Sequence, residues 1–484
     1  MRGSYYMDVE KNFFKSFLKN FNEISFKLRF WDGEEIEIGS DLPKFKIILN
    51  KPLKKKDLLT STSLAFGEAY MNGDIEIEGD MFTAFNELLR CIDKFSTNFS
   101  SLTKIFGGST SMKKQKEEVT SHYDIGNDFY KIWLDDTLSY SCAYFKNSNE
   151  SLHDAQMNKI NHILKKLNLS EGLSLLDIGC GWGGLLIEAA KQYRVKGLGI
   201  TLSEEQYKKF KERIKEEHLE DLLDVKLMDY RELRKSNLFF DRIVSVGMLE
   251  HVGRPNYDLF FENVNSVLKE GGLFLLHYIS GLKESEGDAW IKKYIFPGGV
   301  IPSFREIIEI SADYKYHTLD VESLRLHYRN TLLQWAKRFD DNIDEVRKSF
   351  DEKFIRMWRM YLYSCAASFN NGSGGFSWWL WEARETGGGR GLSGLHWVWC
   401  IGRGPHLQLR QEPQGTSDFR LRSQGPCRLR TGESGLVSAS LPIMLKPPVK
   451  PVLCVMPAAR LSRKHWGMMK WMILVWKPDA KIPV

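Results

Sequence analysis

One ten-residue stretch, LLDIGCGWGG, constrains the fold of this chain more than any other feature of its sequence. Leu175, Leu176 and Ile178 are typical of a buried parallel strand, and residues 185–190 are typical of a helix that packs back on that strand. Between the two lie glycines whose missing Cβ atoms let a cofactor approach the backbone closely: Gly179, Gly181, Gly183 and Gly184. The stretch therefore predicts an α/β fold with a cofactor site at a strand end.

Helices and strands alternate along the chain from residue 151 onward. Apolar residues at helical spacing predict helices at 151–169, 183–193, 203–218 and 256–269. Short apolar runs predict strands at 174–178, 195–200, 224–228, 240–247 and 272–279. Because alternating strands and helices require parallel strands with helices on both faces, the sequence predicts a doubly wound, Rossmann-like sheet.

A smaller domain is predicted to precede this sheet. Residues 24–38 alternate apolar and polar side chains around an Asp-Gly pair, which predicts a hairpin, and residues 81–106 have helical spacing. We therefore predict a small α+β N-terminal domain over 1–110. Residues 111–120 are polar and rich in lysine, which is typical of a linker and equally of a solvated helix face. The α/β domain follows at 121–370.

The tail, residues 371–484, differs in composition from the rest of the chain. It holds eight of the 14 Trp and 10 of the 15 Pro. It also holds 16 Lys or Arg against 6 Asp or Glu, so the rest of the chain has 52 Lys or Arg against 56 Asp or Glu. Because the net charge of +6 thus belongs to the tail, it does not predict binding to nucleic acid. The tail has no sustained periodicity. This irregular segment is typical of unrelated or out-of-frame coding sequence joined after Phe369, which would be non-native or disordered, or of a genuine Trp-rich binding module.

Cysteine content and hydropathy bear on the cellular compartment. Seven Cys in 484 residues are too few for a disulfide framework, which indicates a reducing environment. The N-terminus lacks the apolar core of a signal peptide, and no apolar run approaches the ~20 residues of a membrane span. We expect a cytoplasmic protein, and we predict no metal site.

The residues around the glycine turn discriminate between cofactors. A dinucleotide site would place an acid at the end of the second strand to bind the ribose, but that strand ends in Thr201. The first strand ends in Asp177, and an acid followed by G-x-G-x-G is typical of S-adenosylmethionine-dependent methyltransferases. The turn therefore favours S-adenosylmethionine over NAD.

Three further polar segments follow strands of the predicted sheet, namely residues 201–206, 228–233 and 247–253. Ligands of open α/β sheets bind at these carboxyl strand ends. Each segment also has a purely structural interpretation. Ser203 and Gln206 form the pattern of a capping box, Asp229 could cap a turn, and Glu250 with His251 could be a surface pair.

Six motifs in order resemble cyclopropane-fatty-acid synthases and their relatives, the mycolic-acid cyclopropane synthases and methyltransferases. They are SHYDIGNDFYKIWLDDTLSYSCAYF (121–145), LLDIGCGWGG, GITLSEEQ, DRIVSVGMLEHVG (241–253), LFLLHYI (273–279) and WIKKYIFPGG (290–299). The resemblance covers residues 121–369, and the N-terminal domain is similar to that of the bacterial phospholipid-acting enzymes. It implies methyl transfer from S-adenosylmethionine to the cis double bond of an unsaturated phospholipid acyl chain, followed by proton loss and closure of a cyclopropane.

The resemblance also implies roles for individual residues. The cofactor contacts are Tyr140, Ser141, Asp177, Gly179, Gly181, Gly184, Thr201, Ser203, Gln206, Asp229 and Tyr230. A bicarbonate ion held as the base implies the catalytic residues Cys142, Glu250, His277 and Tyr328, together with the backbone of Ile279. Taken alone, Cys142 and His277 are more typical of core residues. A carbocation requires a dry, aromatic pocket, for which the wall candidates are Tyr278, Tyr294, Phe296 and Tyr328.

The chain departs from the family after Phe369, where relatives continue into a last antiparallel strand. The segment FSWWLW (376–381) has strand length and could take that place. If it does not, we expect unpaired backbone at the fifth and sixth strands and poor stability or activity. One alternative function is therefore that of a catalytically impaired protein that binds lipid or cofactor. A methyltransferase that forms methyl-branched or methylene fatty acids is the other alternative.

The expected partners are membrane phospholipids with unsaturated acyl chains. Peripheral contact with the inner membrane face could be provided by Lys54, Lys55, Lys56 and the segment 13–21, although a solvated run is the more typical role of such lysines. The resemblance also implies a homodimer.

Overall fold

A computed structural model describes residues 11–91, 125–371 and 469–476, apart from residues 13, 17, 19, 20, 22, 282 and 286. The predicted linker at 111–120 and the segment FSWWLW lie outside the described residues. So do residues 92–106 of the helix predicted over 81–106.

The N-terminal part forms a four-stranded sheet with helices. Its strands are β1 (Phe26–Arg29), β2 (Glu35–Ile38), β3 (Lys46–Leu49) and β4 (Ile75–Glu78). Its helices are α1 (Lys55–Thr60), α2 (Thr62–Met71) and α3 (Met81–Arg90). The strand order is β2-β1-β3-β4, with β1 parallel to β3 and the other pairs antiparallel. The β1–β2 hairpin turns at Asp32-Gly33, as predicted, because Gly33 adopts the left-handed φ of 90° that this turn requires.

A larger sheet carries the predicted cofactor turn. Its strands are β5 (Ser174–Ile178), β6 (Lys196–Thr201), β7 (Leu223–Leu227), β8 (Phe240–Val246), β9 (Leu268–Ser280), β10 (His317–Ser323) and β11 (Met469–Trp476). They lie in the order β10-β11-β9-β8-β5-β6-β7. Strands β5 to β9 pair in parallel, and β11 runs antiparallel to both β9 and β10.

Helices precede, connect and follow the parallel strands of this sheet. They are α4 (Asn127–Trp133), α5 (Leu152–Lys166), α6 (Gly184–Tyr193), α7 (Glu204–Glu216), α8 (Tyr257–Val267), α9 (Ala289–Tyr294), α10 (Phe304–Asp313), α11 (Arg325–Asp341), α12 (Ile343–Arg347) and α13 (Glu352–Asn371). Short 3-10 helices span Tyr230–Lys235, Leu249–His251 and Arg254–Asn256. The doubly wound architecture predicted from the sequence is confirmed. The predicted strand 174–178 has the observed bounds of β5, whose residues 175–178 are all buried.

The last strand corrects the prediction for the end of the chain. Residues 469–476, which we assigned to an irregular tail, form β11 between β9 and β10, so the expected vacancy in the sheet is wrong. Residues 471–476, WMILVW, are a continuous apolar run of strand length, the pattern of a strand with neighbours on both sides. The composition of the whole tail obscured this local pattern. The remaining tail residues lie outside the described part of the chain.

Helix α13 links the N-terminal sheet to the larger one. The Arg356 guanidinium donates to the Ile75 carbonyl at 2.7 Å, pairs with Glu76 at 2.9 Å and lies 4.2 Å from the Tyr70 ring centroid. Near the end of the same helix, the Asn370 amide donates to Asn86 Oδ1 at 2.6 Å. The N-terminal part is therefore fastened to a helix that also borders the site described below. Among the residues that the structure describes, no helix combines the length and the apolarity needed to cross a bilayer.

Candidate functional site

A cleft of about 1150 Å³, including its open mouth, lies at the carboxyl ends of β5, β6 and β8. Ten of the eleven predicted cofactor contacts line it: Tyr140, Ser141, Asp177, Gly179, Gly181, Gly184, Thr201, Gln206, Asp229 and Tyr230. Ligand sites of open α/β sheets occur at such strand ends because the flanking loops diverge there. The fold therefore brings together residues that are spread over ninety positions of sequence, from residue 140 to residue 230.

The glycines of the turn serve two different purposes. Gly181 has a φ of 55°, and a Cβ added to it would meet no protein atom within 4 Å. Gly183 has a φ of 83°, and its added Cβ would lie 2.0 Å from the Phe210 ring. A Cβ on Gly184 would lie 2.8 Å from the Thr137 carbonyl oxygen. A Cβ on Gly179 would lie 2.9 Å from Met248 Cγ. Of the four glycines expected to clear space for a cofactor, only Gly181 therefore has open space at its Cβ position, and the other three allow the turn to pack.

The segment after β6 departs from the predicted capping box. The Ser203 hydroxyl accepts from the Gln206 backbone N–H at 3.2 Å, as an N-cap of α7. The Gln206 side chain does not complete the box, because its Oε1 accepts from the Thr201 hydroxyl at 2.7 Å. Thr201 and Gln206 therefore form a linked pair on the cleft wall. Ser203 is fully buried, and its shown contacts stabilise the helix start.

Asp229 caps a helix and holds an arginine at the same time. It is the N-cap of the 3-10 helix Tyr230–Lys235, in a capping box with Glu232. Its carboxylate also accepts two hydrogen bonds from the Arg231 guanidinium, at 2.9 and 2.6 Å, and both side chains are buried. The predicted turn-capping role is thus present, on a side chain that also lines the cleft. Burial raises the pKa of the neighbouring Tyr230 to about 12, which keeps its hydroxyl neutral.

The four predicted catalytic residues are buried or partly buried, and none of them is among the residues that line the cleft. The Cys142 thiol lies 3.8 Å from the Leu324 carbonyl, the group that also accepts from the Tyr328 backbone at the start of α11. The segment after Cys142 is held to the same helix, because the Thr331 hydroxyl accepts from the Ala143 N–H at 3.0 Å. Cys142 and Tyr328 are therefore fixed on adjoining elements.

Glu250 is bonded to the strand that carries His277. Glu250 Oε1 accepts from the Ile279 backbone N–H at 2.6 Å, which ties it to strand β9 two residues after His277. The His277 carbonyl accepts from the Gly247 N–H at 2.7 Å, and the His277 side chain is fully buried. The Ile279 N–H, expected to contact a bound anion, is used by Glu250 in this structure. His251 is half-buried and lines the cleft, and desolvation lowers its pKa to about 4.

Aromatic side chains border the cleft on the side of α13. The Tyr140 and Tyr361 hydroxyls are 2.8 Å apart. Phe296 lies edge-on to both His251 and Tyr361, with ring centroids 5.7 and 5.8 Å apart. The predicted wall residue Tyr294 instead donates to Glu68 of α2 at 2.8 Å, away from this cluster. The arrangement provides a desolvated, aromatic environment next to a polar cleft.

Sequence reasoning missed several residues of this region. Lys159, Trp182 and Met248 line the cleft, and Tyr361 contacts Tyr140 from α13. Lys159 carried a detectable signal, since it is a charged residue on the apolar face of a predicted helix. Tyr361 carried none, because its proximity to Tyr140 results from the path of the chain between distant elements. Within the described part of the chain, no group of three or more His, Cys, Asp or Glu side chains is arranged to hold a metal ion.

Comparison with known families gives two matches along the chain. Residues 110–377 match the model of the mycolic acid cyclopropane synthetase family. Residues 13–100 match a domain of unknown function, DUF7884.

Individual relatives agree with the family match. A probable fatty acid methyltransferase of Pseudomonas putida is 37% identical over 355 residues, covering 72% of this chain and 89% of the relative. The cyclopropane-fatty-acyl-phospholipid synthase of Escherichia coli K12 is 40% identical over 322 residues, covering 65% and 81%. The crystal structure of mycolic acid cyclopropane synthase CmaA1, complexed with SAH and CTAB, matches with a TM-score of 0.50 at 33% identity, covering 53% of this chain and 93% of that chain.

Proposed function

Because this chain belongs to the mycolic acid cyclopropane synthetase family, we propose that it converts unsaturated acyl chains of phospholipids into cyclopropane acyl chains. The methyl donor is S-adenosylmethionine, and the products are S-adenosylhomocysteine, the cyclopropane lipid and a proton. The observation that carries the proposal is a cleft at the strand ends, lined by residues from four separate segments that the resemblance assigns to the cofactor.

The cleft fits an adenosyl amino acid on two observations. Space next to Gly181 is open where a Cβ would project, which leaves room for a ligand against the backbone. Asp177 Oδ1 is buried and accepts no hydrogen bond from the described residues, so the cleft offers an acceptor to a ligand ammonium group. When bound, the cofactor supplies an electrophilic methyl group. The chain's residues orient it and exclude water.

A phospholipid substrate is supported by the extent of the matches. The synthase of Escherichia coli is matched over 322 residues and the Pseudomonas putida relative over 355, whereas cyclopropane mycolic acid synthase 3 is matched over 276. The longer matches exceed the 110–377 region of the family model. The longer matches thus support an N-terminal part shared with the phospholipid-acting relative, and its helix α2 is fastened to helix α9 by the hydrogen bond from Tyr294 to Glu68.

Ring closure requires a base that removes a proton from the transferred methyl group. We propose that Cys142, His277 and Tyr328 donate hydrogen bonds to a bicarbonate ion beside Glu250. All three donors are buried, so an oxyanion among them would be shielded from water and strongly held. Glu250 accepts from Ile279 through one oxygen, and its other oxygen must carry a proton if it is to face an anion. Bound bicarbonate would supply a base that is displaced from the carbocation.

The aromatic cluster of Phe296, Tyr361 and Tyr140 is proposed to surround the double bond. Ring faces stabilise a nearby cation, and the absence of water in the cluster would prevent its capture as an alcohol. Burial raises the pKa of Tyr361 well above its usual value, so its hydroxyl remains neutral and acts as a donor to Tyr140 or an acceptor from it.

Peripheral membrane contact is proposed through the N-terminal part. Lys54 and Lys56 are exposed there and would be attracted to anionic phospholipid. Sedimentation with vesicles of phosphatidylglycerol should decrease when both residues are replaced by glutamate, and an unchanged bound fraction would contradict the proposal. We also propose a homodimer, which light scattering of the purified protein tests.

Lipid analysis tests the function itself. Cells that contain unsaturated phospholipids and lack their own synthase should gain acyl chains one CH2 larger when they express this chain. His277→Ala should lose that product while still binding S-adenosylhomocysteine. A methylene-branched product has the same mass gain as the cyclopropane product, so mass alone does not distinguish them. The double bonds must therefore be derivatised. A product that retains a reactive double bond contradicts ring formation.

A further inference from the structure

Helix α5 buries two polar side chains on its otherwise apolar, sheet-facing side. Gln156 and Lys159 are 0% and 3% exposed, and they lie among the buried residues Ala155, Ile160 and Ile163. Removing an ammonium group from water is strongly unfavourable unless other groups compensate it. The hydrogen bonds of these two side chains therefore indicate what compensates their burial.

Both side chains hold the segment that carries Tyr140 and Ser141. Gln156 Nε2 donates to the carbonyl oxygens of Ser139 and Ser141, at 3.2 and 2.9 Å. The Lys159 ammonium donates to the Ser141 hydroxyl at 3.2 Å. Lys159 itself reaches the cleft wall. Helix α5 thus fixes both the backbone and the side chain of a predicted cofactor contact.

Lys159 also acts on Asp177 from across the cleft wall. Burial raises the pKa of the Asp177 carboxyl to about 7, and the positive charge of Lys159 opposes this rise. The other titratable group facing Asp177 is the Cys180 thiol. Burial, together with the charge of Asp177, raises the pKa of this thiol well above its usual value, so the thiol is neutral. The neighbouring strands place the uncharged residues Gly199 and Val244 opposite Asp177. Lys159 is therefore the cation that favours the ionised carboxylate.

We propose that Lys159 is a positioning residue for the amino-acid end of the cofactor. Its ammonium holds the Ser141 hydroxyl as a donor and favours Asp177 as an ionised acceptor, so the cleft presents both groups to a zwitterion. The inference rests on the proposed function, because the methionine part of S-adenosylmethionine is such a zwitterion. When the ligand's ammonium group pairs with Asp177, a protonated Asp177 must release its proton to solvent.

This coupling predicts a pH-dependent affinity. Isothermal titration calorimetry of the full chain with S-adenosylhomocysteine should give a Kd that tightens about tenfold between pH 6 and pH 8, because one pKa unit corresponds to a factor of ten in the ionised fraction. At pH 7, titrations in buffers of different ionisation enthalpy should report release of about half a proton. Asp177→Asn should remove both the pH dependence and the proton release.

Lysine variants separate position from charge. Lys159→Met should weaken binding at pH 7 by about tenfold or more and move the midpoint of the pH profile to higher pH, because the uncompensated carboxyl then binds its proton more tightly. Lys159→Arg should keep the midpoint near that of the native chain. Lys165→Met, an exposed lysine on the same helix, is the matched control and should leave Kd and midpoint unchanged.

The outcomes distinguish this inference from the proposed function. If the native chain does not bind S-adenosylhomocysteine, the proposed function is wrong. If it binds and Lys159→Met has the native Kd and the native midpoint, the positioning role of Lys159 is wrong and the proposed function stands. Should Lys159→Met fail to fold by circular dichroism, Lys159→Gln and Lys159→Arg decide the question, since equal midpoints for these two variants would overturn the inference.

Discussion

Alanine substitutions at Gly181 and Gly183 should separate cofactor binding from folding. Both glycines have a left-handed φ, so alanine at either position carries a strain of about 1–2 kcal/mol. At Gly183 the added Cβ would also lie 2.0 to 2.5 Å from three atoms of the Phe210 ring, which is fully buried and cannot yield easily. Overpacking of this kind adds about 1–3 kcal/mol. We therefore expect Gly183→Ala to lose roughly 2–5 kcal/mol of stability, and Gly181→Ala to lose about 1–2.

Affinity for the cofactor should show the opposite order. The methyl group of Gly181→Ala would occupy open space at the cleft wall and obstruct a ligand, whereas that of Gly183→Ala faces Phe210. Urea unfolding monitored by tryptophan fluorescence gives the stabilities, and calorimetry with S-adenosylhomocysteine gives the affinities. The reasoning is refuted if Gly181→Ala binds as tightly as the native chain, or if Gly183→Ala is no less stable than Gly181→Ala.

Three further predictions concern the last strand, the cofactor wall and the pH dependence of stability. A chain ending at Asn371 lacks β11 and leaves the edges of β9 and β10 unpaired, so it should aggregate and melt at lower temperature than the full chain; equal melting temperatures would contradict the observed pairing. Arg231→Ala removes two hydrogen bonds to Asp229 and should weaken binding of S-adenosylhomocysteine by about tenfold, which calorimetry checks against the exposed control Arg234→Ala. Because the folded-state pKa of Asp177 is raised to about 7, the contribution of this residue to stability should be largest below its unfolded pKa near 4 and should be lost as pH rises to about 7. Urea unfolding of the native chain and Asp177→Asn across this range should therefore differ in slope, and parallel profiles would show that Asp177 is not buried as described.

The parts of the fold that follow from local pattern were predictable. The run at 174–178 is mostly apolar and is followed directly by glycines, so β5, its turn and α6 follow from local sequence alone. Eight of the ten residues that share the cleft follow strands and could be placed at one edge because parallel strands end together, whereas Tyr140 and Ser141 were assigned through the family resemblance. Neither inference needed the contacts between distant elements.

Contacts between distant segments could not be derived from the sequence. Residues 469–476 pair with β9 and β10 although 372–468 intervene, and their apolar run resembles the competing run at 376–381. Gly183 was predicted to face the ligand because its contact with Phe210, on α7, arises from tertiary packing and leaves no local signal. Tyr294 was predicted to line the pocket, but its hydroxyl reaches Glu68 of the N-terminal part. In each case the local pattern specified the element, and packing specified its partner.

The reaction itself is tested most directly with a purified chain, S-adenosylmethionine labelled with a CD3 group, and a vesicle of unsaturated phosphatidylethanolamine. We expect a lipid that gains one CD2 unit and no longer reacts as an alkene, because the deuteron lost in ring closure comes from the transferred methyl group. Product carrying all three deuterium atoms, or one that retains a reactive double bond, would contradict cyclopropane formation by this protein.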